Sequence, residues 1–197
     1  MRCALLYSGG KDSTLVALLL REFYDLELVT AHFGQTEDYQ YAAETAEALG
    51  LPFEDVELDA DIAAEAVERM VADGYPRNGI QRVHQHALET VAARDVDAIA
   101  DGTRRDDRVP TVSRAQAQSL EDRHDVDYLA PLWGFGRRAV DRLVDAELDV
   151  VEGPSGEIER ADYEAELRAL LAAEHGEEAV AEVFPDHDQT HVTGLRE

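Results

Sequence analysis

Six consecutive residues, Ser8-Gly9-Gly10-Lys11-Asp12-Ser13, concentrate chemical capability in one short stretch. Two adjacent glycines allow a sharp turn and a close backbone approach to a ligand, so successive N–H groups can form a nest for an anion. Ser8 and Ser13 add hydroxyl donors, Lys11 a point charge, and Asp12 either a helix cap or a ligand for Mg²⁺. A polyphosphate suits every group in the loop. A glycine turn capped by Asp12 or Ser13 would read similarly without any ligand, but the lysine argues against it. Lys11 is the only lysine among the 18 basic residues.

Other patterns carry less. A Walker-type loop needs glycine six residues before the lysine, and position 5 is leucine. Gly134-Phe135-Gly136-Arg137-Arg138-Ala139 fits the short dinucleotide pattern GxGxxA, with Glu152 near the distance of a ribose-binding acid. That pattern normally belongs to the first strand-to-helix turn. His84 and His86 share a helix at a spacing that separates their faces. His187 and His191 have helical metal-ligand spacing, but Pro185 to Thr190 reads as an extended tail that could fold over the site. Cys3 stands alone, which excludes an intramolecular disulfide, a CxxC redox pair and a cysteine-rich metal site.

The elements that must position these residues follow from periodicity. Cys3 to Tyr7, Leu26 to Phe33, Phe53 to Leu58, Asp97 to Ala100 and Tyr128 to Pro131 read as strands, the first a continuous apolar run that suggests burial on both faces. Helical stripes lie between them, one beginning at Thr14 and another running from Tyr39 to a terminal Gly50. Alternating strands and helices of this length predict an α/β, Rossmann-like fold with a parallel five-stranded sheet flanked by helices. Such sheets bind ligands at the carboxyl ends of their strands. The expected organisation is a nucleotide-binding domain over residues 1–152 and a small helical C-terminal appendage and tail over 153–197. Ala161 to Ala173 and Glu177 to Phe184 supply the helices of that appendage.

The Ser8 to Ser13 loop after a buried N-terminal strand resembles the PP-loop, SGGxDS, of the N-type ATP pyrophosphatases, in the adenine nucleotide alpha hydrolase-like superfamily of HUP-type folds. His32-Phe33-Gly34-Gln35 is similar to the corresponding segment of 7-cyano-7-deazaguanine synthase, and Gly102-Thr103-Arg104-Arg105-Asp106-Asp107 resembles the loop after the family's fourth strand. The resemblance covers roughly the first 150 residues. It implies an enzyme that uses ATP and Mg²⁺ to transfer AMP to a carbonyl-type oxygen, releases pyrophosphate, and lets a nucleophile displace AMP. Ser8, Gly9, Gly10 and Ser13 would then hold pyrophosphate, Asp12 would bind Mg²⁺ and Lys11 would neutralise charge. Backbone at Phe33, Gly102 and Thr103 would contact adenosine, and Asp107 would be a second metal ligand or a surface acid. The cysteine sites of 7-cyano-7-deazaguanine synthases, of sulfur-transferring tRNA-modifying members and of phosphoadenylylsulfate reductases are absent, which favours ammonia or an amine over sulfur as nucleophile. The implied reaction is ligase-type activation of a small molecule or an RNA base. The alternative is a regulatory protein that binds adenine nucleotide without turnover.

Charge gives the setting. With 43 acidic and 18 basic residues the net charge is −25. An acidic surface argues against nucleic acid, DNA in particular, because such binders gain affinity through Lys and Arg. Acid excess with almost no lysine is equally the composition of a halophilic protein, so the charge reports habitat as much as ligand. Arg104, Arg105, Arg108, Arg114, Arg123, Arg137 and Arg138 lie within a segment of net charge +1 between residues 104 and 138, against Asp106, Asp107, Glu121, Asp122, Asp125 and Asp127. Pairing with local acids would explain them; so would a rim for an anionic substrate, with Arg104, Arg105 and Arg137 the foremost candidates. The longest apolar stretch, Leu15 to Leu20, is far short of the ~20 residues that span a bilayer, so a cytoplasmic protein without membrane association is expected. Homodimerisation stays open.

Overall fold

The computed structural model describes residues 1–155, 158 and 161–196. Strands β1 (Arg2–Leu6), β2 (Asp25–His32), β3 (Phe53–Glu57), β4 (Ala98–Ala100) and β5 (Asp127–Leu129) form a parallel sheet in the order β3-β2-β1-β4-β5. The chain builds outward from β1 to β3, then returns to the other side of β1 for β4 and β5. The reversal places a topological switch point between β1 and β4, the position at which open α/β sheets leave a crevice for ligands.

The period of two along β1 divides the core. Ala4 and Leu6 face a layer made by α3 (Ala60–Asp73), α4 (Arg77–Ala92), α5 (Arg114–His124) and α7 (Tyr163–His175), followed by α8 (Glu177–Val183). Cys3, Leu5 and Tyr7 face the opposite layer of α1 (Lys11–Leu20), α2 (Tyr39–Leu49) and α6 (Arg137–Glu147). The expected α/β sheet is therefore present, and Gly50 ends α2 in the left-handed conformation as its position suggests.

Two local readings change. Helix α1 begins at Lys11, not Thr14, with Gly10 as an extended N-cap and no side chain capping the end. Lys11, Asp12 and Ser13 thus form the first helical turn, where N–H groups have no intrahelical acceptor and the helix dipole favours an anion. The C-terminal segment contains more than helices: β6 (Leu148–Pro154) and β7 (Asp188–Leu195) form an antiparallel pair, and β7 packs against α1 and α2. The tail is extended, as expected, but it is paired with β6 rather than alone: His191 lies on β7 and His187 just precedes it. Val192 is fully buried and its N–H donates to Gly9 O at 3.0 Å, while Ala161 N–H donates to Ser8 O at 3.3 Å. Among the described residues no helix is long and apolar enough to cross a membrane.

Candidate active site

The loop between β1 and α1 owes its shape to Gly9, whose φ of +73° L side chains rarely adopt, and which lies 3.4 Å from the Ala42 backbone at its would-be Cβ. Ser13 Oγ donates to Gly10 O at 3.1 Å and closes the loop on itself. From the other side of the switch point, Gly102 approaches α1 so closely that a Cβ would stand 2.9 Å from Ser13 N. The two loops enclose a cavity of about 260 Å³ with Ser8, Asp12, Ser13, Gly102, Thr103 and Asp107 on its polar side and Leu6, Ala31 and Ile80 on its apolar side. Asp162, Tyr163, Glu164 and Gln189 of the C-terminal segment complete the wall.

Asp12 carries an electrostatic conflict. Burial pushes its carboxyl above the usual range, against the lowering effect of Arg104 and Lys11. Its Oδ1 is buried without a hydrogen bond, and the nearest charge is Arg104 Nη1 at 3.6 Å. Arg104 is the cation of the cluster: its backbone N–H donates to Asp107 Oδ2 at 2.6 Å, its Nε and Nη2 donate to Asp107 Oδ1 at 3.2 and 3.1 Å, and Asp106 lies 3.8 Å away. Burial opposes the charge on Arg104, but Asp12 and Asp107 outweigh it and raise its pKa.

Beneath the cavity lies a hydrogen-bonded group that the sequence did not reveal. Asp101, 1% exposed, accepts from His84 Nε2 at 2.9 Å, Tyr128 Oη at 2.8 Å, Thr103 N at 2.9 Å and Thr103 Oγ1 at 2.6 Å. Burial would raise its carboxyl, yet the bonds from His84 and Thr103 hold it below the usual range. Burial and the Asp101 charge together push Tyr128 and Tyr163 upward. Asp101 is thus a fixed negative charge whose partners brace the floor of the cavity.

A family model, "Family of unknown function (DUF7411)", matches residues 1–194. The chain belongs to this family. An uncharacterised protein of Methanocaldococcus jannaschii is 42% identical to it over 193 residues, covering 98% of this chain and 95% of that protein. The crystal structure of a predicted subunit of tRNA methyltransferase from Methanocaldococcus jannaschii superposes with a TM-score of 0.90 at 40% identity, covering 100% of this chain and 98% of the other. The argininosuccinate synthase of Alkalilimnicola ehrlichii is 35% identical over 99 residues, and the match spans 49% of this chain but 24% of the synthase. That last likeness joins half of this DUF7411 chain to a synthase whose remaining length has no counterpart in the match.

In this DUF7411 chain the sequence-expected residues separate into groups. Ser8, Asp12, Ser13, Gly102, Thr103 and Asp107 meet in one cavity. Gly9, Gly10 and the half-buried Lys11 shape the loop from outside the cavity lining. Phe33 is buried away from it, and its N–H donates to Glu166, which also accepts from Gln35 N at 2.9 Å and Thr36 N at 3.3 Å. Asp107 faces the cavity with both oxygens bonded to Arg104, so a metal there would require Arg104 to withdraw. Arg105 and Arg137 are exposed beyond the rim, Arg105 Nη2 standing 3.5 Å from the would-be Cβ of Gly136. Gly134 and Gly136 have negative φ and no close backbone neighbours, so the GxGxxA string lacks the crowding that gives a dinucleotide fingerprint its glycines.

Proposed function

We propose that the chain binds ATP with Mg²⁺ in the cavity at the β1/β4 switch point and transfers AMP to a carbonyl-type oxygen of a small molecule or an RNA base. The oxygen attacks the α-phosphate, the bond to the β-phosphate breaks and pyrophosphate leaves; ammonia or an amine then displaces AMP from the activated carbon. One observation carries the reading: a buried, unbonded carboxylate oxygen of Asp12 stands on the first turn of α1, among uncapped N–H groups, in a cavity the Gly102 loop closes. Such N–H groups and Ser13 suit the charge that develops on the departing pyrophosphate, since donors already in place cost no reorganisation. The unbonded Oδ1 of Asp12 fits Mg²⁺, and Asp107 would join it once Arg104 withdraws; the ion would supply positive charge against the polyphosphate. The synthase likeness over half of the chain supports the same class of chemistry.

The grip of Arg104 on both Asp12 and Asp107 favours a second reading, nucleotide binding without turnover. Incubation with ATP, Mg²⁺, ammonium and unfractionated tRNA at molar salt, with AMP and pyrophosphate measured, separates the two. Stoichiometric AMP and pyrophosphate that vanish in Asp12→Ala are expected for the enzyme. Equal release by both proteins contradicts the assignment.

A further inference from the structure

The arginines of this chain fall into two sets. Arg2, Arg69, Arg94, Arg104 and Arg123 each hold a carboxylate within 4.0 Å. Arg77, Arg105, Arg108, Arg114, Arg137, Arg138 and Arg142 are exposed, and among the described residues their side chains have no ion-pair or hydrogen-bond partner; all but Arg77, which opens α4, lie between residues 104 and 142. With 43 acids for 18 basic residues, an arginine placed at random on this surface would readily find a carboxylate. Arg105 and Arg108 lie on the β4–α5 connection, where Asp106 and Asp107 are engaged by Arg104, and Arg114, Arg137 and Arg138 open the helices that follow the β4–α5 and β5–α6 connections. The two connections adjoin, because Arg105 Nη2 approaches Gly136, the residue before Arg137 and Arg138. The β4–α5 connection also contains Gly102, Thr103 and Asp107, so the surface leads directly into the cavity.

An aromatic side chain stands on the same surface. Trp133, the only tryptophan of the chain, is 42% exposed on the single 3-10 turn Pro131–Gly134, three residues before Gly136. Guanidinium groups recognise phosphates as planar forks, and an exposed indole stacks on an unpaired base. Phosphates alone would explain the arginines and leave the tryptophan without a role; double-stranded DNA would hide its base faces from Trp133.

We propose that Arg105, Arg108, Arg137 and Arg138 with Trp133 form a binding surface for RNA that exposes unpaired bases, lying beside the cavity so that a bound base can be presented to it. The surface as a substrate platform rests on the adenylation reading; its affinity for RNA does not. The net charge of the molecule repels RNA, so an arginine-rich surface also favours one orientation of docking.

Because Trp133 is the sole indole, its fluorescence reports occupancy directly. Unfractionated tRNA titrated at the lowest salt that keeps the protein folded is expected to quench it, whereas heparin, a polyanion without bases, is not. The variant R105A/R108A/R137A/R138A, whose altered side chains are all exposed, is expected to lose at least tenfold in tRNA affinity and to show a shallower salt dependence, by roughly 0.7 in log–log slope for each phosphate contact removed. Trp133→Ala, followed by anisotropy of labelled tRNA, is expected to lose about fivefold or more. Unchanged tRNA affinity in the four-arginine variant, equal affinity for duplex DNA, or the same quenching by heparin overturns the proposal. ATP binding to the same preparations is read separately: tRNA binding without ATP binding overturns adenylation and leaves the RNA surface standing, and the converse leaves the cavity reading standing.

Discussion

Burial raises the Asp12 carboxyl although Arg104 lies 3.6 Å from its Oδ1, and that direction has a consequence for stability. A carboxyl whose folded pKa exceeds its unfolded value of about 3.9 favours folding when protonated, and its ionised form opposes folding at pH above the folded pKa. Asp12→Asn is therefore expected to raise Tm at pH 7 relative to the native protein, with the difference shrinking as pH falls toward 4, while affinity for ATP·Mg²⁺ drops. Thermal melts across that pH range check it; a lower Tm at pH 7 would mean that the pair with Arg104 outweighs the burial. Asp101 has the opposite sign, since His84 and Thr103 hold its carboxyl low, so its contribution is present above pH 4 and is lost as pH falls through its folded pKa. The Ser8 to Ser13 loop was legible because its chemistry is contiguous. The Asp101–His84 bond was not, because it joins residues 17 apart on different elements and neither has a local pattern that names its partner.

Helix α7 organises the loop after β2 through one side chain. Glu166 accepts from the N–H groups of Phe33, Gln35 and Thr36, an arrangement in which a buried carboxylate does for the loop what an anion does for a nest. Glu166→Ala leaves the buried Phe33 N–H and the part-buried N–H groups of Gln35 and Thr36 without their acceptor and is expected to destabilise the protein by about 1–3 kcal/mol, measured by urea unfolding. A loss below roughly 0.5 kcal/mol, the level of an ordinary surface change, would show that water replaces the carboxylate. On an amphipathic helix a glutamate reads as solvent-facing, so nothing in the sequence marks Glu166. The β6–β7 pair escaped for a related reason: β7, Asp188–Leu195, is mostly polar and shows no strand alternation, and its partner, Leu148–Pro154, begins 40 residues earlier in sequence and ends in a proline. The parallel sheet, by contrast, was readable because its central strands β1, β2 and β4 are largely apolar and helical stripes lie between the strands.

At the scale of the molecule, −25 charges oppose compaction at low ionic strength. Raising KCl from 0.1 to 2 M shortens the screening length from about 10 to a few Å and is expected to raise Tm by 10 °C or more; a Tm that is flat or falling with salt would contradict adaptation to a saline interior. The same charge makes the arginine-rich edge informative, because the composition that argued against nucleic acid is an average over a surface on which residues 104–138 carry a net +1 and border the cavity. Fold class and the loop that faces the switch point follow from sequence, whereas the wall built by Asp162, Tyr163, Glu164 and Gln189 depends on the C-terminal segment returning to the loop, which only the assembled structure displays. The most direct test of the account is calorimetric titration of ATP·Mg²⁺ into the native protein and into Asp12→Ala at molar salt. The account predicts saturable one-to-one binding to the native protein and at least a tenfold loss in the variant; no binding, or equal binding to both, would contradict it.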